Sequence, residues 1–169
     1  LNPKVLIDEN ALQKRVKELG REITNSFPED FVLISVLKGA MVFTADLLRH
    51  IERRVFLDFV GLKSYEGMQK VEHTFTYFPS VSIEGKDVLV VDDIFDTGES
   101  LAIILSELKK SSPKTLKTCV LLKKEKSRKV DFEPDFVGFS IPDVFVVGYG
   151  LDYMENFRGL KYVGYIGEK

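Results

Sequence analysis

Carboxylates, hydroxyls and a glycine crowd one short stretch of this chain, Asp92-Asp93-Ile94-Phe95-Asp96-Thr97-Gly98-Glu99-Ser100. Aspartates suit sugar hydroxyls or a hard cation, because the ionised group is a pure acceptor. The turn from Thr97 to Ser100 adds side-chain hydroxyls. Where such a turn opens a helix, unpaired backbone N–H groups favour an anion. Acids beside a phosphate cradle describe a site for a phosphorylated sugar. One acid at a strand end would be explained by helix capping alone. Three acids with a hydroxyl-glycine turn ask for a ligand.

Those residues need an element to present them. Val88 to Val91 is an unbroken apolar run, the pattern of a strand buried on both faces in a parallel sheet. Leu101, Ile104, Leu105 and Leu108 are spaced for the buried side of a following helix that ends at Ser111-Ser112-Pro113. In open α/β sheets, ligands bind outside the carboxyl ends of the strands. Two further strands reach that edge. Phe31 to Leu37 runs into Lys38-Gly39-Ala40 and then a helix bearing Phe43, Leu47, Leu48 and Ile51. Taken alone, that turn reads as a solvated lysine; it is also a candidate anion site. Thr115 to Leu122 delivers Lys123-Lys124-Glu125-Lys126, which as a charge run is expected to be a solvated face.

The remaining segments read as scaffold. Leu12, Val16, Leu19, Ile23 and Phe27 recur at helical spacing over residues 8–27, with Asp8 as N-cap. Val55 to Gly61 is a strand. From Leu62 to His73 no period is clean, and a loop of the kind that forms lids is expected. Thr74 to Phe78 alternates polar and aromatic residues like a hairpin arm. Strands are expected at Phe136–Ile141 and Val144–Gly148, split by Pro142-Asp143, and a short one over Tyr162–Ile166. His50 reads as a favourable cation or polar cap near the end of its helix, and His73 as structural or solvated, lacking the partner cluster that a metal ligand needs. Strands alternating with helices from 31 to 122 argue for one βαβ-type sheet.

Bulk properties narrow the function classes. The 169 residues are enough for one domain, with 44% hydrophobic and 30% charged residues. The net charge of −2 and the lack of a long basic block argue against nucleic-acid binding. Cys119 is the only cysteine, so no intrachain disulfide forms, and its apolar surroundings predict a buried, inert thiol. No apolar run approaches transmembrane length and no signal peptide is evident, so no membrane partner is expected and the cytoplasm is the expected location.

Residues 86–101 resemble the phosphoribosyl-pyrophosphate signature of the type I phosphoribosyltransferases. The run from Pro142-Asp143-Val144-Phe145-Val146-Val147-Gly148-Tyr149-Gly150-Leu151-Asp152-Tyr153 to Phe157-Arg158 is similar to the 6-oxopurine (hypoxanthine-guanine) members. The resemblance covers most of the chain, from about Leu33 to about Gly164. It implies an α/β fold, a Rossmann-like parallel sheet flanked by helices, in a single domain over residues 1–169. The core would span about 30–125, with a small hood from about 1–10 and 130–169.

The implied reaction transfers phosphoribosyl from its 1-pyrophosphate to N9 of hypoxanthine or guanine. Asp92 and Asp93 would hold the ribose hydroxyls, directly or through magnesium, and Asp96 would be the general base. Thr97, Gly98, Glu99 and Ser100 would cradle the 5′-phosphate. Lys38, Gly39 and Arg158 would meet the pyrophosphate, Ser64 and Tyr65 would sit on a flexible loop, and Lys124 would donate to the purine 6-oxo group. Phe145 would stack on the base, Val146 would bond its edge through the backbone, and Asp152 would line the purine site and help hold magnesium. A homodimer or homotetramer is implied as well.

Two departures stand out. Ala40 replaces the second glycine of a Leu-Lys-Gly-Gly turn, in which the resemblance allows a cis peptide at Lys38-Gly39. Glu99 puts an acid beside the phosphate, tolerable if its side chain points to solvent and only its backbone amide serves. Two rivals share parts of the pattern. A regulator on the same fold predicts a basic face. A phosphate-accepting receiver domain predicts its acidic pair after the first strand of the chain.

Overall fold

Val32, Ile34, Val88, Val90 and Val120 face one side of a sheet; Leu33, Leu89, Val91, Cys119 and Leu121 face the other, and all are fully buried. Alternation at a period of two within continuous apolar runs is what a two-sided parallel sheet requires. The computed structural model describes residues 2–126 and 128–167. Its main sheet has the order β4-β3-β2-β5-β6-β7, formed by Val71–Tyr77, Val55–Glu66, Phe31–Leu37, Asp87–Phe95, Thr115–Lys124 and Phe136–Ile141. All neighbours are parallel except β3 and β4.

Helices cover both faces. α1 (Glu9–Ser26) and α2 (Met41–Leu48) pack on the side of Leu33 and Leu89, and α3 (Glu99–Lys109) on the side of Val32 and Val88. All five apolar positions expected along residues 8–27 are buried, and the Asp8 carboxylate accepts from Ala11 N at 2.8 Å as the N-cap. Such a cap contributes about 1 kcal/mol. A second, antiparallel sheet joins the chain ends in the order β1-β9-β8, from Lys4–Ile7, Val163–Ile166 and Phe145–Val147. Ile7, Val146 and Val163 of this sheet continue the same core as α1 and α2. Cys119 lies buried within that core, and burial pushes its thiol pKa up.

Three expectations change. Residues 62–73 are not a loop: β3 continues to Glu66 and pairs with β4, with Ser64 opposite His73 and only Gly67–Lys70 at the tip. Most side chains of this arm are exposed, so no face was buried to leave a period in the sequence. The main sheet extends past 125, because β7 pairs with β6 from Cys119↔Phe136 to Lys124↔Ile141. The hood's share of the C-terminal part therefore begins after Ile141. Its strand β8 covers only Phe145–Val147, since Gly148 turns back to bridge Leu151.

Candidate active site

The chain winds from β2 out to β3, then returns across β2 to β5, β6 and β7. Winding therefore reverses between β2 and β5, and such a reversal opens a crevice at the strands' carboxyl ends. Both anion candidates flank it. The Leu37–Lys38 peptide is cis, one bond before the position the resemblance allows. Ala40 has φ −85°, so the turn needs no left-handed residue there and alanine fits. Gly39 is needed for a different reason. A Cβ there would strike the Asp93 carboxylate, and a Cβ on Gly150 (φ 101°) would strike the carbonyl of Gly39. Three segments distant in sequence thus meet with no side chain between them.

Asp92 is buried at the end of β5, and Asp93 is half-buried beside it. Desolvation, reinforced by the charge of Asp93, holds the Asp92 carboxyl well above the ordinary carboxylate range. Desolvation raises Asp93 too, partly offset by the hydrogen bond from Asp92, the Ile94 amide and the Arg158 charge. The pair titrates as a unit that gives up its second proton reluctantly. Beyond it, Gly98 takes φ 86° as the N-cap of α3 and brings no side chain over the first-turn amides. Glu99 is exposed and points to Lys129, 3.7 Å away, which leaves its backbone amide for an anion. Asp92 to Ser100, with Gly39, line a cavity of about 280 Å³.

A second cavity of about 220 Å³ adjoins it, lined by Lys124, Phe145, Val146, Leu151 and Asp152. Asp93, Ile94 and Asp96 line both cavities. Phe145 is 50% exposed, with Tyr153 edge-on at 5.8 Å, an aromatic face offered to a planar ring. Lys124 Nζ lies 3.3 Å from Asp96 and 3.5 Å from Asp143.

Lys126 is not the solvated lysine expected from the charge run. Its ammonium lies 2.5 Å from Asp96 Oδ1 and 3.6 Å from Asp143. Burial alone would raise the Asp96 pKa; Lys126 and Lys124 together outweigh it and hold the carboxyl below its ordinary range. Lys123 is also engaged, 2.7 Å from Glu133. Arg128, which no motif singled out, stacks on Phe95 at 4.7 Å. It donates to the carbonyls of Lys124, Lys126 and Asp96 at 2.6, 2.8 and 3.2 Å, fixing the exit of β6.

The segment after β8 is bent hard. Tyr149, Met154, Glu155 and Phe157 have φ between 50° and 73°. Non-glycine residues there are uncommon and concentrate at functional sites. The Tyr149 hydroxyl donates to Asp46 of α2, and Arg158 Nη1 donates to the Gly150 carbonyl at 2.7 Å. Arg158 Nη2 lies 3.4 Å from Asp152 and 3.1 Å from Glu155, whose other oxygen is 3.0 Å from Lys38. Ser64 and Tyr65 line neither cavity; Ser64 shares a 2.8 Å hydrogen bond with His73 on the arm. Among the described residues no three His, Cys, Asp or Glu side chains converge on a metal position, so Asp92, Asp93 and Asp152 form no closed cage.

An acidic strand end, a glycine-opened helix start and a facing aromatic cavity meet at one crevice. The chain belongs to the phosphoribosyl transferase family, whose domain model matches residues 6–154. Its relatives include hypoxanthine-guanine phosphoribosyltransferases. That of Bacillus subtilis is 44% identical over 164 residues, covering 95% of this chain and 91% of the relative. That of Aquifex aeolicus is 47% identical over 164 residues, covering 95% and 92%. The crystal structure of the Bacillus anthracis enzyme superposes with a TM-score of 0.92 at 43% identity, covering 98% of this chain and all of that one. The receiver and regulator readings fall away.

Proposed function

We propose that this chain transfers the phosphoribosyl group of 5-phosphoribosyl 1-pyrophosphate to N9 of hypoxanthine or guanine in purine salvage. One observation carries the reading: Asp96 stands where the phosphate-cradle cavity and the Phe145 cavity meet. A base held in one and a sugar phosphate in the other would bring N9 and the anomeric carbon together at that seam.

In the reaction the N9–C1′ bond forms as the C1′–O bond breaks. The electron pair leaves with pyrophosphate, and the purine proton passes to Asp96. Bond breaking at the anomeric carbon develops oxocarbenium character, as in glycosyl transfer. Asp96 is ready as the acceptor because two lysines keep it ionised. Lys124 turns from Asp96 to the 6-oxo oxygen; an ammonium donates to an oxo group and cannot accept from a 6-amino group. Phe145 stacks on the ring, and Val146 offers its backbone to the ring edge.

Asp92 and Asp93 hold the ribose hydroxyls. Thr97, Gly98, Ser100 and the Glu99 amide hold the 5′-phosphate; Lys38, Gly39 and Arg158 hold the pyrophosphate. Asp93 and Asp152 line one cavity and fit magnesium, which takes one or two carboxylates together with substrate phosphate oxygens. When bound, the ion neutralises charge on the leaving pyrophosphate. Ser64 and Tyr65 reach the reacting centre when the β3–β4 arm closes.

A homodimer or homotetramer is part of the proposal, supported by the large apolar side chains exposed at Met41, Phe56, Leu57, Tyr77 and Phe78. Cytoplasmic action is part of the proposal too, supported by a sugar pyrophosphate too highly charged to cross a bilayer unaided. The test is a spectrophotometric assay with the sugar pyrophosphate and magnesium against hypoxanthine, guanine, xanthine and adenine. Turnover of 6-oxopurines that spares adenine is expected. Turnover of adenine alone, or of no base, overturns the reading.

A further inference from the structure

We propose that Glu155 is a built-in anion that occupies the pyrophosphate position between turnovers and sets how tightly pyrophosphate is held. The proposal rests on the reading of Lys38 and Arg158 as the pyrophosphate cations. Those two come from segments far apart in sequence, and side by side they repel. Glu155 bridges them: Oε2 lies 3.0 Å from Lys38 Nζ and 3.3 Å from Arg158 Nη2, and Oε1 lies 3.1 Å from Arg158 Nη2. A carboxylate offering two acceptor oxygens to an ammonium and a guanidinium meets them as a phosphate would.

The backbone aims it there. Glu155 has φ 65°, between Met154 at 50° and Phe157 at 73° two residues on. Its N–H donates to Asp152 Oδ2 at 2.8 Å, and Tyr153 and Asn156 close the turn through reciprocal backbone bonds. A glutamate kept in the left-handed region persists only where its surroundings over-determine it.

The same geometry lets it leave. The Glu155 side chain is 63% exposed, so it swings to solvent without opening the core. Arg158 stays behind, its side chain only 19% exposed and its Nη1 fixed on the Gly150 carbonyl at 2.7 Å. Its buried Nε–H has no hydrogen-bond partner among the described residues, a donor still to be satisfied. Affinity for pyrophosphate is therefore net of the contacts that Glu155 surrenders. After transfer, Glu155 competes with the product for the same two cations and hastens its release.

The test is calorimetric titration of inorganic pyrophosphate, with magnesium, into the wild-type protein, Glu155→Gln, Lys38→Gln and Lys38→Gln/Glu155→Gln. Two exposed ion pairs set the scale: Glu155→Gln is expected to bind about threefold to tenfold tighter than wild type. The gain should shrink in the Lys38→Gln background, where one of the released cations is missing. In turnover, KM for the sugar pyrophosphate and kcat should both fall in Glu155→Gln, with stronger inhibition by pyrophosphate. A merely structural role produces no gain of affinity. Unchanged or weaker binding by Glu155→Gln, in protein whose thermal melt matches wild type, overturns the proposal and leaves the transferase reading standing. Binding by none of the four proteins overturns the assignment of Lys38 and Arg158 themselves, and this proposal with it.

Discussion

Asp92 and Asp93 at the end of β5 and Asp96 in the turn beyond it are the same residue type within one strand exit, yet the fold treats them in opposite ways. The first two face each other in a desolvated corner and hold on to a proton. The third meets Lys126 and Lys124 and gives its proton up early. What separates them is the neighbouring strand: Lys124 at the end of β6 and Lys126 just beyond it reach Asp96 but make no ion pair with Asp92 or Asp93 among the described residues. Chemical role is assigned here by surroundings, with the residue type supplying only the raw group. The corner suits hydroxyls, or a hard cation taken in exchange for its proton; the turn keeps an ionised carboxylate at hand.

The sharpest way to break this contrast is Asp96→Asn. It keeps the shape and removes the base, and is expected to cut kcat by about 10²- to 10⁴-fold, the usual weight of general base catalysis. Steady-state kinetics check it, and a loss below tenfold would end the division of roles. Asp92→Asn probes the other side. A carboxyl whose folded pKa is raised contributes stability below its unfolded pKa and loses it as pH rises through the folded value. The neutral substitute should therefore raise Tm by roughly 3–5 °C at neutral pH without magnesium. The gain should vanish in acid, as melts across pH would show. Smallest is Lys126→Gln. Losing this cation raises the Asp96 pKa, so the acid limb of kcat/KM against pH moves up. Activity on that limb drops by about twofold to fivefold, the worth of one exposed ion pair. A stationary limb would mean that Lys124 alone sets the base.

Much of this architecture is legible in the residues. The β5 run, its acids and the α3 face occupy the positions expected, because a strand buried on both faces writes an unbroken apolar run. The helix after Asp8 is equally plain. The β3–β4 arm was hidden because its side chains face solvent, so pairing rests on backbone bonds that no residue type encodes. Lys126 was hidden because a charge run does not show which lysine meets Asp143 and Asp96 across the strand ends. Glu155 and Arg128 are set by backbone dihedrals and by carbonyls, which leave no mark in composition. Asp96 itself was legible as an acid; its low pKa was not.

The β3–β4 arm has a mechanical consequence. β3 loses its pairing with β2 after Gly61, beside an irregularity in the β3–β4 register; Leu62 and Phe75 still pack on the core, and from Lys63 to Glu66 the strand pairs with β4. Beyond that point the arm is a two-stranded ladder. Closing an unstructured lid means freezing each residue at about 1–2 kcal/mol of entropy. A paired ladder has already settled most of that cost, so an arm that closed would carry Ser64 and Tyr65 together.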